Sequence, residues 1–196
     1  MCGIVGYVGQ REALPLLLDS LKRLEYRGYD SAGVAVLENG GVVIQKNKGF
    51  IADLEGILRA SPAVTGLAHT RWATHGKPSR ENAHPFLDCS GKLALAHNGI
   101  IENYQELRER LKAEGHTFTS ETDTESMVHL LEKHYQGDLR DAMRHALKEV
   151  HGTYAFVDLG SRNGSMVNGR PVDEVALASG DVIRIGATVV EFHLHG

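Results

Sequence analysis

The chain has 196 residues, of which 42% are hydrophobic and 23% charged, with a formal net charge of −4. That length can bury a sizeable core, and the acidic balance removes the electrostatic case for nucleic-acid binding. No apolar run reaches the roughly 20 residues that span a bilayer, and two cysteines without a secretory leader predict free thiols in a cytoplasmic setting rather than a disulfide framework.

In chain order, residues 3–8 read as a strand with a cysteine immediately before it. Leu14, Leu17, Leu18, Leu21 and Leu24 recur at helical spacing, which predicts a helix over about 12–25. Residues 25–33, EYRGYDSAG, are a turn-rich connection. The runs GVAVLE and GVVIQKN flank Asn39-Gly40-Gly41, a hairpin signal. IADLEGILRA predicts a short helix and AVTGLAHT a strand. Residues 71–91 are polar and aperiodic, and a loop that long inside a compact domain is usually functional. KLALAHNG returns as a strand. Tyr104, Leu107 and Leu111 predict a helix over 103–114. Thr122 and Glu125 make a T-x-x-E capping box ahead of a helix that turns Met127, Leu130, Leu131 and Tyr135 inward. Leu139, Met143, Ala146, Leu147 and Val150 mark one more helix. From about residue 152 onward the helical period disappears, and short β-type runs alternate with Asn163-Gly164, Asn168-Gly169 and Gly180-Asp181.

The residue types in the first 150 positions suit nucleophilic chemistry on an amide. If Met1 is removed, residue 2 carries a free α-amine, a group with an ordinary pKa of about 7.7–8.0. That amine is a base already attached to the residue that bears the thiol, so no histidine partner is required. Asn98 and the Gly99 N–H are candidate donors for a developing oxyanion. Arg71 can fork onto a carboxylate. Asp123 can meet an ammonium group, and its place in the first turn of a helix favours its ionised form. The bland reading of each is available. Cys2 can be core packing, Arg71 and Asp123 a structural ion pair, and Trp72 a core residue rather than a pocket wall. His69, His84 and His97 with Cys89 invite a metal reading, but neither H-x-x-x-H nor C-x-x-C spacing occurs. The sequence therefore predicts no metal and no cofactor, with Cys89 an incidental thiol.

Five blocks tip that balance. CGIVGYVG after Met1, LEYRGYDSAGVAV, AHTRWATHGKPSRENAHPF, AHNGIIENYQELRERL and GHTFTSETDTESMVHLL stand in order across about residues 1–155. Together they resemble the N-terminal glutaminase domain of the glutamine–fructose-6-phosphate aminotransferases. The resemblance implies an α+β class II glutamine amidotransferase with the N-terminal nucleophile fold, an αββα sandwich. It implies Cys2 as nucleophile with its α-amine as base, and Asn98 and Gly99 as the oxyanion hole. Arg71, Trp72, Thr74, His75 and Asp123 would hold L-glutamine, the loop from residue 71 would act as a lid, and Arg27 would order the site as it closes. The family's sugar isomerase modules, which receive the ammonia, have no counterpart in these residues, so a synthase partner would have to supply that step.

Residues about 156–196 read differently. DLGSRNGSMVNG followed by LASGDVIRIG resembles the C-terminal half of a forkhead-associated (FHA) domain, a β-sandwich that binds phosphothreonine peptides. Ser161, Arg162 and Asn163 match its binding loop. The half that supplies most phosphate contacts is missing, so phosphopeptide binding is not expected. The organisation expected is a truncated amidotransferase domain over 1–155 and a partial FHA-like, all-β segment over 156–196. Those strands would either complete the glutaminase sheets or leave an inactive chimera.

Overall fold

The computed structural model describes residues 2–73, 76–153, 155–157, 165–167, 170–172, 174–176, 182–185 and 188–191. The chain divides into two compact units, residues 1–98 with 103–150, and residues 99–102 with 151–196.

The first unit is built on an antiparallel sheet of β1 (Gly3–Val8), β4 (Thr65–Arg71), β2 (Ser31–Glu38) and β3 (Gly41–Lys48), in that spatial order. The hairpin β2–β3 pairs Glu38 with Gly41 around a two-residue turn. Asn39 and Gly40 there take φ of 49° and 79°, the left-handed pair that Asn-Gly tolerates and that matches strand twist. Helix α1 (Ala13–Leu24) buries Leu14, Leu17 and Leu21 against Ala32, Val34, Val36 and Ala68 of the sheet. Helix α2 (Ile51–Glu55) adds Ile51 and Leu54. It is shorter than the run IADLEGILRA suggests, because the helix ends at Gly56.

Strand β2 is buried at six consecutive positions. Its alternate residues face α1 and α2, and its other side is covered closely by the loop before β5 (Phe86–Leu87). A Cβ at Gly33 would stand 2.3 Å from the His84 carbonyl oxygen. Lys46 on β3 ties this loop down, donating to the carbonyls of Ala83 (2.8 Å) and Glu81 (3.1 Å), with its ammonium over the Phe86 ring. The expected strand over 92–99 is reduced to β6 (Ala94–Leu95), paired with β5.

Helix α3 (Tyr104–Ala113) matches its predicted span. Helix α4 (Asp123–His134) is buried at every position from Asp123 to Leu131, so it is an interior element rather than a half-wet one. Two expectations about its ends are corrected. Thr122 is the N-cap but makes no side-chain cap, since its hydroxyl bonds Ser120 Oγ at 2.9 Å. Glu125 turns instead to the preceding loop, accepting from Thr119 N and Ser120 N at 2.7 and 2.8 Å. Tyr135 follows the helix and is partly exposed. Helix α5 (Leu139–Leu147) is capped by Asp138, which accepts from Arg140 N and Asp141 N. It buries Ala142 and Ala146, leaving Leu139 and Leu147 exposed.

In the second unit the described residues from Gly152 onward are all strand. The four-stranded sheet runs β11 (Arg170–Val172), β10 (Ser165–Val167), β13 (Val182–Ile185), β14 (Thr188–Glu191). Val167 pairs with Arg170, and Asn168-Gly169, which the sequence reads as a turn, lie outside the described residues. Two small pairs complete the unit: β9 (Ala155–Val157) with β12 (Glu174–Ala176), and β7 (Ile100–Ile101) with β8 (Gly152–Thr153). No helix among the described residues is long and apolar enough to cross a membrane.

Candidate active site

Cys2 lies at the head of β1, next to the end of β4. Gly3 pairs with Thr70, which brings the 71–72 peptide alongside the thiol. Trp72 N donates to Cys2 Sγ at 3.2 Å, and the Trp72 carbonyl oxygen is 3.4 Å from the same sulfur. This close passage depends on small residues. A Cβ at Gly3 would stand 2.8 Å from Leu24 Cβ, and one at Gly28 would stand 2.7 Å from the Arg71 carbonyl carbon. Thr70 Oγ1 donates to the Gly28 carbonyl, and Asp30 accepts from Ala73 N. The turn after Arg27 is thereby fastened to the strand end that carries Arg71.

Asn98 Nδ2 donates to the Cys2 carbonyl at 3.3 Å, and Asn98 Oδ1 is 2.9 Å from His69 Nε2. Burial lowers the His69 pKa from 6.5 to about 4, despite the Asn98 bond that favours its charged form. The ring is therefore neutral at pH 7 and must carry its proton on Nε2 to donate to Asn98. That fixes the amide: oxygen toward His69, nitrogen toward Cys2. His84 stacks on His69 with centroids 4.3 Å apart, and its pKa is pushed well below the ordinary value by burial and by His69. His97 belongs to the same group, with Nδ1 at 3.2 Å from Thr124 Oγ1 and a pKa lowered by burial. The three histidines flagged in the sequence thus do gather, but as neutral packed rings. Cys89 is not among them.

Arg71 is buried and donates to the Gly76 carbonyl at 3.1 Å. Desolvation lowers its pKa, and the charges of Asp30, Cys2 and Asp123 act in the opposite sense. Asp123 is buried at the first residue of α4. Trp72 is half exposed, edge-on to Tyr29, which stacks on Phe50. It is a surface aromatic and not a core residue. Gly99 follows Asn98 in sequence with φ of 148° and belongs to the second unit. Thr74, His75, Ser161, Arg162 and Asn163 lie outside the described residues.

Sequence reasoning did not single out His69 as the residue that orients Asn98, or Gly28 as the spacer behind the 71–72 peptide. Both sit inside the blocks quoted above, so the signal was present without a visible role.

A family model described as a glutamine amidotransferase domain matches residues 69–174. The glutamine–fructose-6-phosphate aminotransferase (isomerizing) of Aquifex aeolicus is 57% identical over 158 residues, covering 80% of this chain and 27% of that protein. The Clostridium perfringens protein of the same description is 47% identical over 196 residues, covering 99% of this chain and 31% of its own length. The chain therefore spans about a third or less of these relatives. Among solved structures, the glutamine phosphoribosylpyrophosphate amidotransferase of B. subtilis superposes over 98% of this chain and 49% of its own. Its TM-score is 0.69 at 23% identity, a likeness of fold. With more than half of its residues matched by the family model, the chain belongs to the glutamine amidotransferase domain family, in the class II group.

Proposed function

We propose that the chain hydrolyses L-glutamine to L-glutamate and ammonia, with Cys2 as the nucleophile. The observation that carries this reading is the setting of Cys2. Its sulfur receives the Trp72 N–H, its carbonyl receives an Asn98 amide oriented by a neutral histidine, and the charge of Arg71 is felt nearby.

In this reading Met1 is removed, and the freed α-amine takes the Cys2 thiol proton. The thiolate attacks the side-chain carbonyl carbon of glutamine. Negative charge builds on the former amide oxygen, where Asn98 Nδ2 and the Gly99 N–H donate. The ammonium at residue 2 returns its proton to the amide nitrogen, the C–N bond breaks, and ammonia leaves. The γ-glutamyl thioester is then attacked by water, with the same amine as base, and glutamate departs. Arg71 holds the substrate α-carboxylate and Asp123 its ammonium. Trp72, Thr74 and His75 help to hold it, and Arg27 helps to order the site as it closes. No metal or cofactor enters these steps.

Residues 1–155 carry this chemistry. The strands after residue 155 act as the remaining sheet of an αββα sandwich, a role supported by the family match to residue 174 and by the C. perfringens alignment over 99% of the chain. The ammonia serves amino-sugar synthesis from fructose 6-phosphate on modules outside these 196 residues. The competing FHA-like role for Ser161, Arg162 and Asn163 predicts tighter binding of a phosphothreonine peptide than of its dephosphorylated twin. Equal or absent binding disposes of it.

The experiment is a steady-state assay of glutamate release from L-glutamine, with Cys2→Ala as the blank, on protein whose intact mass shows loss of Met1. Release that vanishes in Cys2→Ala is the expected result. Folded, processed protein that releases nothing, or releases equally without the thiol, refutes the proposal and favours a chimera that keeps the motifs without the activity.

A further inference from the structure

Away from Cys2, the fold gathers four donor side chains from three separated segments. Cys89 stands in the turn between β5 and β6. His116 stands in the loop after α3. His129 and Glu132 lie on α4, three residues apart, and so on one face. One donor atom from each falls within 4.8 Å of all the others. Cys89 Sγ is 3.6 Å from His129 Nδ1 and 4.0 Å from His116 Nδ1. Glu132 Oε2 is 2.9 Å from His116 Nδ1 and 3.3 Å from His129 Nδ1.

Those separations are four of the six edges of a small tetrahedron. With metal–ligand bonds of about 2.0–2.3 Å, neighbouring donors around tetrahedral zinc stand about 3.3–3.6 Å apart. The two His129 edges fall on that range, and His116 needs to move by a few tenths of an ångström. The donors are also held in place by their surroundings. Glu132 is anchored by the Cys89 and Ser90 amides, each at 3.1 Å. Thr117 N donates to Cys89 Sγ at 3.4 Å. Phe118 packs edge-on against the His129 ring, and the His116 and His129 rings lie 5.3 Å apart. Hydrogen bonds alone serve the cluster poorly. The Cys89 amide and the Nδ1 atoms of both imidazoles converge on the same carboxylate oxygen, Glu132 Oε2. A divalent cation removes that crowding. One thiolate, one carboxylate and two neutral imidazoles balance its charge, and the mixed sulfur, nitrogen and oxygen donors select zinc over magnesium or calcium. His129 is buried and Cys89 exposed, so a cation can enter from solvent.

We propose that Cys89, His116, His129 and Glu132 form a binding site for a zinc-class divalent cation. The site is a structural clip that fastens the β5–β6 turn and the loop after α3 to helix α4.

The test is a cobalt(II) titration of the full chain carrying Cys2→Ala, in which Cys89 is the sole thiol. The expected result is one equivalent of cobalt per chain, with the visible absorption of tetrahedral cobalt and a near-ultraviolet thiolate-to-cobalt band, both erased by zinc. Adding Cys89→Ser removes the charge-transfer band and weakens binding at least tenfold. His116→Ala, near the surface, also weakens binding at least tenfold, and it decides the matter if the serine variant misfolds by circular dichroism. No cobalt uptake at millimolar metal overturns the proposal. So does binding without the thiolate band, or binding unchanged in the two folded variants.

Discussion

Cys2 sits against the end of β4 because Gly3 and Gly28 have no side chains to keep it away. A methyl at Gly28 would collide with the backbone of Arg71 and Trp72, and those atoms cannot yield without moving the peptide that contacts the sulfur. Gly28→Ala is therefore expected to cut glutamine hydrolysis at least tenfold while the far-ultraviolet circular dichroism spectrum stays unchanged. Undiminished turnover in that variant contradicts the close-approach argument. His69 acts one step further back, through Asn98. His69→Phe keeps an aromatic ring against His84 but removes the Nε2–H that fixes the amide. It is expected to lower kcat by roughly tenfold to a hundredfold with KM little changed, against about 10²–10³ for Asn98→Ala. A His69→Phe loss seen only in KM would assign the residue to substrate binding instead. At this scale the sequence singled out Cys2, Arg71, Asn98 and Asp123 by residue type, and the fold sets Cys2 beside Asn98 and the 71–72 peptide. It flagged His69, His84 and His97 together but not their packing, since residues from β4 and two loop segments share no period to show which rings meet. It read Cys89 as an incidental thiol, since the side chains around it come from two other segments. Only the His129-x-x-Glu132 spacing on α4 could have hinted at them.

The elements carry the stability of this arrangement. Leu17 of α1 is fully buried against the sheet. Leu17→Ala should cost about 2–5 kcal/mol in unfolding free energy, measured by urea titration, and a loss under about 1 kcal/mol would place the core elsewhere. The loop before β5, the end of β4 and the segment after β6 together bury His69, His84 and His97 as neutral rings. The pH dependence has a definite sign. In the unfolded chain these residues take up protons near pH 6.5, whereas in the fold their pKa values lie lower, near 4 for His69. Below pH 6.5 the unfolded state therefore binds more protons, and stability falls as the pH drops toward 4. His69 contributes up to about 1.4 kcal/mol per pH unit within that window, and His84 and His97 act in the same direction. Unfolding free energy is expected to drop by at least about 2 kcal/mol between pH 7 and pH 5, and a flat profile there contradicts the neutral stack. The element boundaries were legible wherever an amphipathic period ran into a glycine or a turn, as in α1, α3 and the β2–β3 hairpin. They were misjudged where tertiary contacts prevailed. Glu125 left its capping role for the 119–120 loop, and α5 buries alanines rather than the larger leucines at its ends.

On the scale of the whole molecule, the family match through residue 174 and the alignment over 99% of the chain treat the strand-rich end as part of the amidotransferase domain. Near residue 152 the described residues change from helices packed on a sheet to strands alone. The chain covers 27–31% of the two relatives described above, so its products are expected to be limited. Incubated with glutamine and fructose 6-phosphate, it should yield glutamate and ammonia but no glucosamine 6-phosphate by mass spectrometry. Amino-sugar formation would place sugar chemistry within these 196 residues.

The most direct test of the account is covalent. A γ-electrophilic glutamine analogue, such as a diazoketone, should add once to the folded chain. Peptide mapping should find it on Cys2 at a processed N-terminus, with Cys89 untouched and excess L-glutamine protecting. Labelling of Cys89 instead, or no adduct on protein lacking Met1, would contradict Cys2 as the nucleophile.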